Sequence, residues 1–224
     1  MSNLLKNEKS PYLKQHENNP VHWHPWSKET LNKAKELKKP IFLSVGYSSC
    51  HWCHVMAHES FEDKNTAAVM NEKFINIKVD REERPDLDNV FQKSLAILTG
   101  TPGGWPLSMF LDENAVPFTG GTYFPPKEMY GRPSFINILN QVSDFYKKNS
   151  DKVTQQAAQL KNIFQKDQKK SSVIGQNLTP HLENMLRYVD FEYGGFQGSP
   201  KFPQFYIFES FLHFYKKNKN KKFY

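Results

Sequence analysis

Two cysteines, Cys50 and Cys53, are the only ones in the 224-residue chain, and they stand in the run Ser48-Ser49-Cys50-His51-Trp52-Cys53-His54. Three chemistries use this spacing. A Cys-x-x-Cys pair is a redox dithiol, Cys-x-x-Cys-His is a c-type haem attachment sequence, and closely set Cys and His side chains hold zinc. The dithiol needs only two sulfurs, one of them with a lowered pKa. A cysteine in the first turn of a helix gains this from unpaired backbone N–H groups and the positive end of the helix dipole. Cys53, one turn later, can then resolve a mixed disulfide formed on Cys50. His51, next to the attacking sulfur, and His54 are the side chains placed to tune or orient it.

The other two chemistries ask for more. Haem attachment wants His54 as axial ligand and a small helical domain around the macrocycle. A structural zinc site wants four ligands, and no second Cys-x-x-Cys or His-x-x-x-His accompanies the first, although His54 and His58 are spaced i, i+4. The expectation is therefore no cofactor, neither zinc nor haem, with a zinc-binding Cys/His module kept as an alternative.

The flanking elements agree with the dithiol reading. Ser27–Lys39 has a helix pattern: Ser27 as N-cap, Glu29 in the first turn, and Leu31, Ala34 and Leu37 on one side. Pro40 stops it, and the apolar run Ile41–Val45 reads as a buried strand. Gly46 opens a loop into the cysteines, and a helix follows from Cys50, interrupted before Ala67–Met70. Phe74–Val79 alternates, with Ile75, Ile77 and Val79 on one face and Asn76 and Lys78 on the other. Pro85 introduces a helix over Asp86–Leu98. A Gly-rich loop, Gly100–Gly104, leads to Trp105-Pro106, a strand over Leu107–Leu111 and another near Val116–Thr119. Ser134–Lys148 is a helix with Phe135, Ile138, Leu139, Val142 and Phe145 on its apolar side. This order predicts an α/β three-layer sandwich with a mixed central sheet.

After about residue 167 the character changes. An amphipathic helix (Val153, Ala157, Leu160, Phe164) gives way to a linker over Lys169–Gln176, a helix over Pro180–Tyr188, the Gly/Pro/aromatic stretch Asp190–Phe205 and a helix from Phe205. Residues 1–167 and 168–224 are thus expected to be two parts. The charge divides similarly: residues 1–144 carry 16 Lys+Arg against 17 Asp+Glu, while residues 145–224 carry 14 against 6. The excess is lysine runs without a nucleic-acid-binding motif, so they read as solvated faces and no nucleic-acid partner is expected. No apolar run is long enough to cross a bilayer, and the N-terminus has no hydrophobic signal region, so a cytoplasmic protein without a membrane partner is expected. In that compartment a lone cysteine pair points to catalysis or metal binding rather than to a structural staple. The charged run Asp80–Asp88 reads as a self-paired helix cap.

Several long stretches, "SSCHWCHVM", "IKVDREERPDLD", "GGWPLSMFL", "GGTYFPP" and "YGGFQGSPKFP", resemble the thioredoxin-domain family of spermatogenesis-associated protein 20 and its bacterial relatives, and the likeness covers nearly the whole chain. The resemblance implies a thioredoxin-like fold in which Cys50 attacks and Cys53 resolves. It implies that Trp105-Pro106 is the cis-proline loop and, with Trp52, meets substrate: a protein or small-molecule thiol or disulfide. It also implies that the C-terminal part is the start of an α/α barrel, leaving Phe205, Phe208, Phe211 and Phe214 without barrel partners. A partner chain supplying the rest of the barrel is one expectation.

Two positions depart from the pattern. Where thioredoxins carry a buried carboxylate six residues before the first cysteine, this chain has Ser44, which cannot serve as a base. That keeps alive a redox-inert peptide-binding or scaffolding domain. The segment His22-Trp23-His24 departs from relatives too, and reads as surface drift, with a metal role for the two histidines as the weaker alternative.

Overall fold

The computed structural model describes residues 2–129, 131–170, 179–199, 201–202, 204–219 and 221, in two compact units, residues 1–165 and 166–224. Most of the expected linker, residues 171–176, lies outside the described residues, and Lys169 and Lys170 end a helix. Among the described residues no helix is long and apolar enough to cross a membrane.

The first unit is built on five strands: β1 (Trp23–His24), β2 (Ile41–Gly46), β3 (Ile75–Asp80), β4 (Leu107–Leu111) and β5 (Pro117–Gly121). Their order across the sheet is β1-β3-β2-β4-β5. β1 and β2 run parallel to β3, while β4 is antiparallel to β2 and β5 to β4. Alternation assigns the faces. Ile41, Leu43, Val45, Ile75, Ile77, Val79, Leu107 and Met109 form one core with Phe91 and Leu95. It is closed by helices α2 (Lys28–Leu37) and α5 (Pro85–Thr99). Phe42 and Phe110 face the other way, into a second core with Trp23, Cys53, Met56, Phe61 and Phe135. That side is closed by α1 (Pro11–Lys14), α3 (His51–Met56), α4 (Lys64–Lys73) and α6 (Phe135–Lys148). The result is the thioredoxin-like three-layer α/β arrangement expected from the sequence.

Local chemistry explains where elements start. Ser27, Asp63 and Ser134 each accept the N–H three residues on, capping α2, α4 and α6. Between α3 and α4 a five-residue π-helical turn, Ala57–Phe61, gives the interruption.

The N-terminal segment corrects one expectation. His22-Trp23-His24 is not surface drift: Trp23 is fully buried and His24 is buried too, because these residues form edge strand β1 against β3. Lys33 Nζ lies 3.0 Å from His24 Nε2, and His24 Nδ1 faces the Asn76 carbonyl at 3.3 Å. A lysine donates and a carbonyl accepts, so His24 is neutral with its proton on Nδ1. Burial and Lys33 both push its pKa down, in keeping with that state.

After α7 (Ser150–Lys170), the second unit has α8 (Thr179–Leu186) and α9 (Phe205–Asn218). Phe211 is buried, and Phe208 and Phe214 pack with it, Leu182, Met185, Val189 and Phe196 in a small core. Of the four phenylalanines expected to lack partners, these three therefore find them; Phe205 is 72% exposed.

Candidate functional site

β2 runs from Ile41 to Gly46 and delivers the chain to Cys50, the N-cap of α3. Cys50 Sγ accepts the Cys53 N–H at 3.2 Å, the contact that favours a thiolate at this position. The two cysteines are joined as a disulfide, with Cα atoms 5.2 Å apart. In this oxidised form Cys50 is only 3% exposed and Cys53 2%.

The two histidines part company. His51 is exposed, its ring beside that of Trp52 at 5.7 Å. His54 Nε2 donates to the Ser48 carbonyl at 2.7 Å, tying α3 back to the loop before the cysteines. His58 pairs with Glu62 on the surface. Among the described residues no three His, Cys, Asp or Glu side chains are set to hold a metal.

The Trp105–Pro106 peptide bond is cis, and Trp105 packs against the core that contains both cysteines. Its indole N–H donates to Asp88 Oδ1 at 2.9 Å, the Arg81 guanidinium lies 4.0 Å above its ring, and Tyr47 meets its edge at 5.9 Å. Arg81 in turn reaches Asp88 at 3.7 Å. So the charged run Asp80–Asp88 is only in part a self-paired cap. Arg84 and Asp86 pair in solvent, but Arg81 and Asp88 clamp the proline loop. Trp52 and Trp105 line one cleft of about 910 Å3 together with Val55, Glu59, Tyr123 and Met129. Trp52 is 52% exposed, its ring 5.1 Å from that of Tyr123, whose hydroxyl is held by Glu59.

Sequence reasoning missed what lies beneath the disulfide. The face of β3 carrying Asn76, Lys78 and Asp80 is buried throughout rather than solvated. Sheet register places Lys78 beside Ser44 and Asp80 beside Gly46. Lys78 Nζ is 2.9 Å from Ser44 Oγ and stands 4.6–5.0 Å from the ring centres of Tyr12, Trp23 and Phe61. Three such rings favour an ammonium by about 0.5–2 kcal/mol each, whereas taking an ion from water into an interior without a charged partner costs several kcal/mol. Desolvation wins, and burial holds the Lys78 pKa well below the ordinary lysine range.

Tyr12 belongs to the same group. Its hydroxyl is buried with no partner of hydrogen-bonding geometry, and burial, then Asp80, push its pKa up, while the Ser44 hydroxyl acts the other way. A Cβ built on Gly46 would sit 2.3 Å from the Tyr12 hydroxyl and 2.7 Å from Cys53 Sγ, so both atoms crowd the space that a side chain at this position would need. Asp80 accepts from Ser10 at 2.6 Å and from the Glu82 N–H, which anchors α1 over this face. The sequence signal for α1 was present: Ser10 as N-cap followed by Pro11 at the first helical position.

A dithiol at a helix start beside a cis-proline loop, on a sheet of this order, defines a thioredoxin-fold protein of the Cys-x-x-Cys class. The chain belongs to the Thioredox_DsbH family, described as a protein of unknown function, DUF255, which it matches over residues 2–165. Among curated proteins it is 46% identical over 207 residues to uncharacterized protein B0495.5 of Caenorhabditis elegans and 41% identical over 209 residues to human spermatogenesis-associated protein 20. Those alignments take in 90% of this chain and 28% and 26% of the relatives, so it spans about a quarter of their length. Among solved structures it is similar to a DsbH oxidoreductase (TM-score 0.42, 17% identity, 58% of this chain and 86% of that one). It is also similar to a thioredoxin from Thermus thermophilus (TM-score 0.38, 21% identity, 56% and 89%).

Proposed function

We propose that the chain is a thiol–disulfide oxidoreductase domain working through Cys50 and Cys53. The observation that supports this best is the Cys50 sulfur, set at the cap of α3 to accept a backbone N–H and already joined to Cys53. In the reducing direction, the Cys50 thiolate attacks one sulfur of a substrate disulfide. A Cys50–substrate disulfide forms, and the other substrate sulfur leaves as a thiolate. Cys53 then attacks Cys50 Sγ, the internal disulfide forms, and the second substrate thiolate departs. The substrate gains two electrons and the dithiol loses two; the reverse sequence oxidises a dithiol.

The cleft beside Trp52 and the proline loop suits a substrate presenting its disulfide next to an apolar or aromatic side chain. Protein substrates fit this better than small thiols, because Trp52, Val55 and Met129 supply apolar surface that a small thiol would not cover.

The test is equilibration of the full chain in graded dithiol/disulfide buffers, with alkylation and mass detection. One two-electron transition confined to Cys50–Cys53, with Cys50 alkylated well before Cys53 at mildly acidic pH, supports the reading. A pair that stays oxidised or reduced throughout, or two thiols of equal reactivity, ends it in favour of a redox-inert domain.

A further inference from the structure

The stretch Gly121-Thr122-Tyr123-Phe124-Pro125 leaves β5 and turns beside the dithiol, where Tyr123 meets Trp52, the residue between the two cysteines. We propose that this pair of rings makes the cleft select polypeptide disulfides with an aromatic residue next to the attacked cysteine, and that Glu59 is the positioning residue for the pair. The proposal rests on the dithiol chemistry above.

Tyr123 is held from the core side by its neighbours. A Cβ on Gly121 would come within 2.7 Å of the Phe124 ring, so glycine there lets that ring close against the chain. Phe124 stacks on the buried Phe135, with centroids 5.9 Å apart and planes 7° apart, and the Phe135 N–H donates to the Pro125 carbonyl at 2.8 Å. With its neighbours anchored in this way, the Tyr123 ring lies 5.1 Å from that of Trp52, at 54° to it. The second tie comes from the helix. Trp52, Val55 and Glu59, spaced three and four residues apart, share one face of α3 and the π-helical turn after it, and all three line the cleft. Glu59 Oε2 accepts from the Tyr123 hydroxyl at 2.5 Å. Helix and loop thus meet twice, ring to ring and carboxylate to hydroxyl.

These ties matter because Trp52 is 52% exposed, and a ring that far into solvent keeps its rotamer freedom unless something holds it. Rings select one another by offset or edge-to-face geometry, which an aliphatic side chain of similar area lacks. Such pairs are worth about three- to tenfold in affinity beyond the area they bury. Charge discriminates less here. Glu59 and Arg132 line the same cleft with opposite signs, and the Glu59 carboxylate is engaged by Tyr123. At about 910 Å3 the cleft has room for a substrate ring and the backbone beside it.

The experiment mixes excess reduced full chain with a substrate made of two identical fluorescent peptides joined through their cysteines, quenched until the disulfide is reduced. Two such substrates differ at one position, Phe or Leu beside the cysteine, and the rate of fluorescence release is read against chain concentration. In the wild type the half-saturating concentration should be about three- to tenfold lower for the Phe peptide. Glu59→Ala and Tyr123→Phe remove the acceptor and the donor of one hydrogen bond. Each should lose most of that preference, through the half-saturating concentration of the Phe peptide more than through the limiting rate. Glu59→Gln keeps an acceptor for the Tyr123 hydroxyl and should keep the preference. A wild type that takes both peptides alike, or Ala and Phe variants that keep its preference, would overturn the selectivity and leave the dithiol function standing. A Glu59→Gln that falls as far as Glu59→Ala would overturn the positioning role. A wild type that reduces neither peptide would remove the dithiol function itself.

Discussion

Lys78→Met changes stability in a way that the buried amine makes calculable. In the unfolded chain a lysine is charged below about pH 10.4, whereas in the native state burial lowers its pKa well below that. At pH values between the two, the unfolded state binds one more proton than the native state. Stability therefore rises with pH, by about 1.4 kcal/mol per pH unit. Methionine, with no titrating group, removes the gradient. The window is clean in the oxidised protein. The disulfide does not titrate, the pKa of His16 and of His24 is lowered, and that of Tyr12 is raised above the tyrosine range. Urea unfolding followed by tryptophan fluorescence is the assay, because all four tryptophans (Trp23, Trp26, Trp52 and Trp105) lie in the first unit. Lys78→Met should have a stability advantage over the wild type that shrinks by about 1.4 kcal/mol per pH unit as the pH rises toward the unfolded-state lysine value. Parallel pH dependences for the two proteins would refute the neutral buried amine.

Two further changes follow from contacts at the site. Gly46→Ala places a methyl group against the Tyr12 hydroxyl and Cys53 Sγ, both buried; it should lower the unfolding free energy by about 1–3 kcal/mol in the same urea assay, and Tyr12→Phe should not fully restore it because the ring carbon Cζ also stands within 2.8 Å. Asp88→Ala removes the acceptor of the Trp105 indole and the carboxylate facing Arg81. It should cost about 1.5–3 kcal/mol and raise KM for a protein disulfide more than it lowers the rate of Cys50 alkylation, measured side by side.

The central α/β order was legible in the sequence because its signals are local. Ser27 caps the helix it was expected to cap, Ser134 begins the segment read as a helix, Pro40 separates α2 from β2, and the alternation of Ile75, Ile77 and Val79 marks β3. Cys50 at a helix start followed from the strand, glycine and short loop before it. What escaped reading depends on distant partners. Lys78 has the pattern of a solvated strand face, and only the segment around Tyr12 and Trp23, more than fifty residues earlier, makes that face interior. β1 has two residues, too few for alternation to register. Arg81 and Asp88 look like a helix cap because their partner, Trp105, arrives on the far side of α5.

The parallel pairing of β1 with β3 also has a consequence for the order in which the molecule is completed. Trp23 pairs with Asn76, and Ser10 reaches Asp80. A ribosome releases the N-terminal segment first, and its partner strand follows about fifty residues later, roughly 3–10 s at ordinary elongation rates. Through that interval Leu5, Tyr12 and Trp23, all buried in the finished protein, have nothing to bury against, while Cys50 and Cys53, three residues apart, are already together on the chain. The cysteines are thus in place before the floor beneath them, and the dithiol of a nascent chain is chemically a different centre from that of the folded protein until residues 2–24 close over β3.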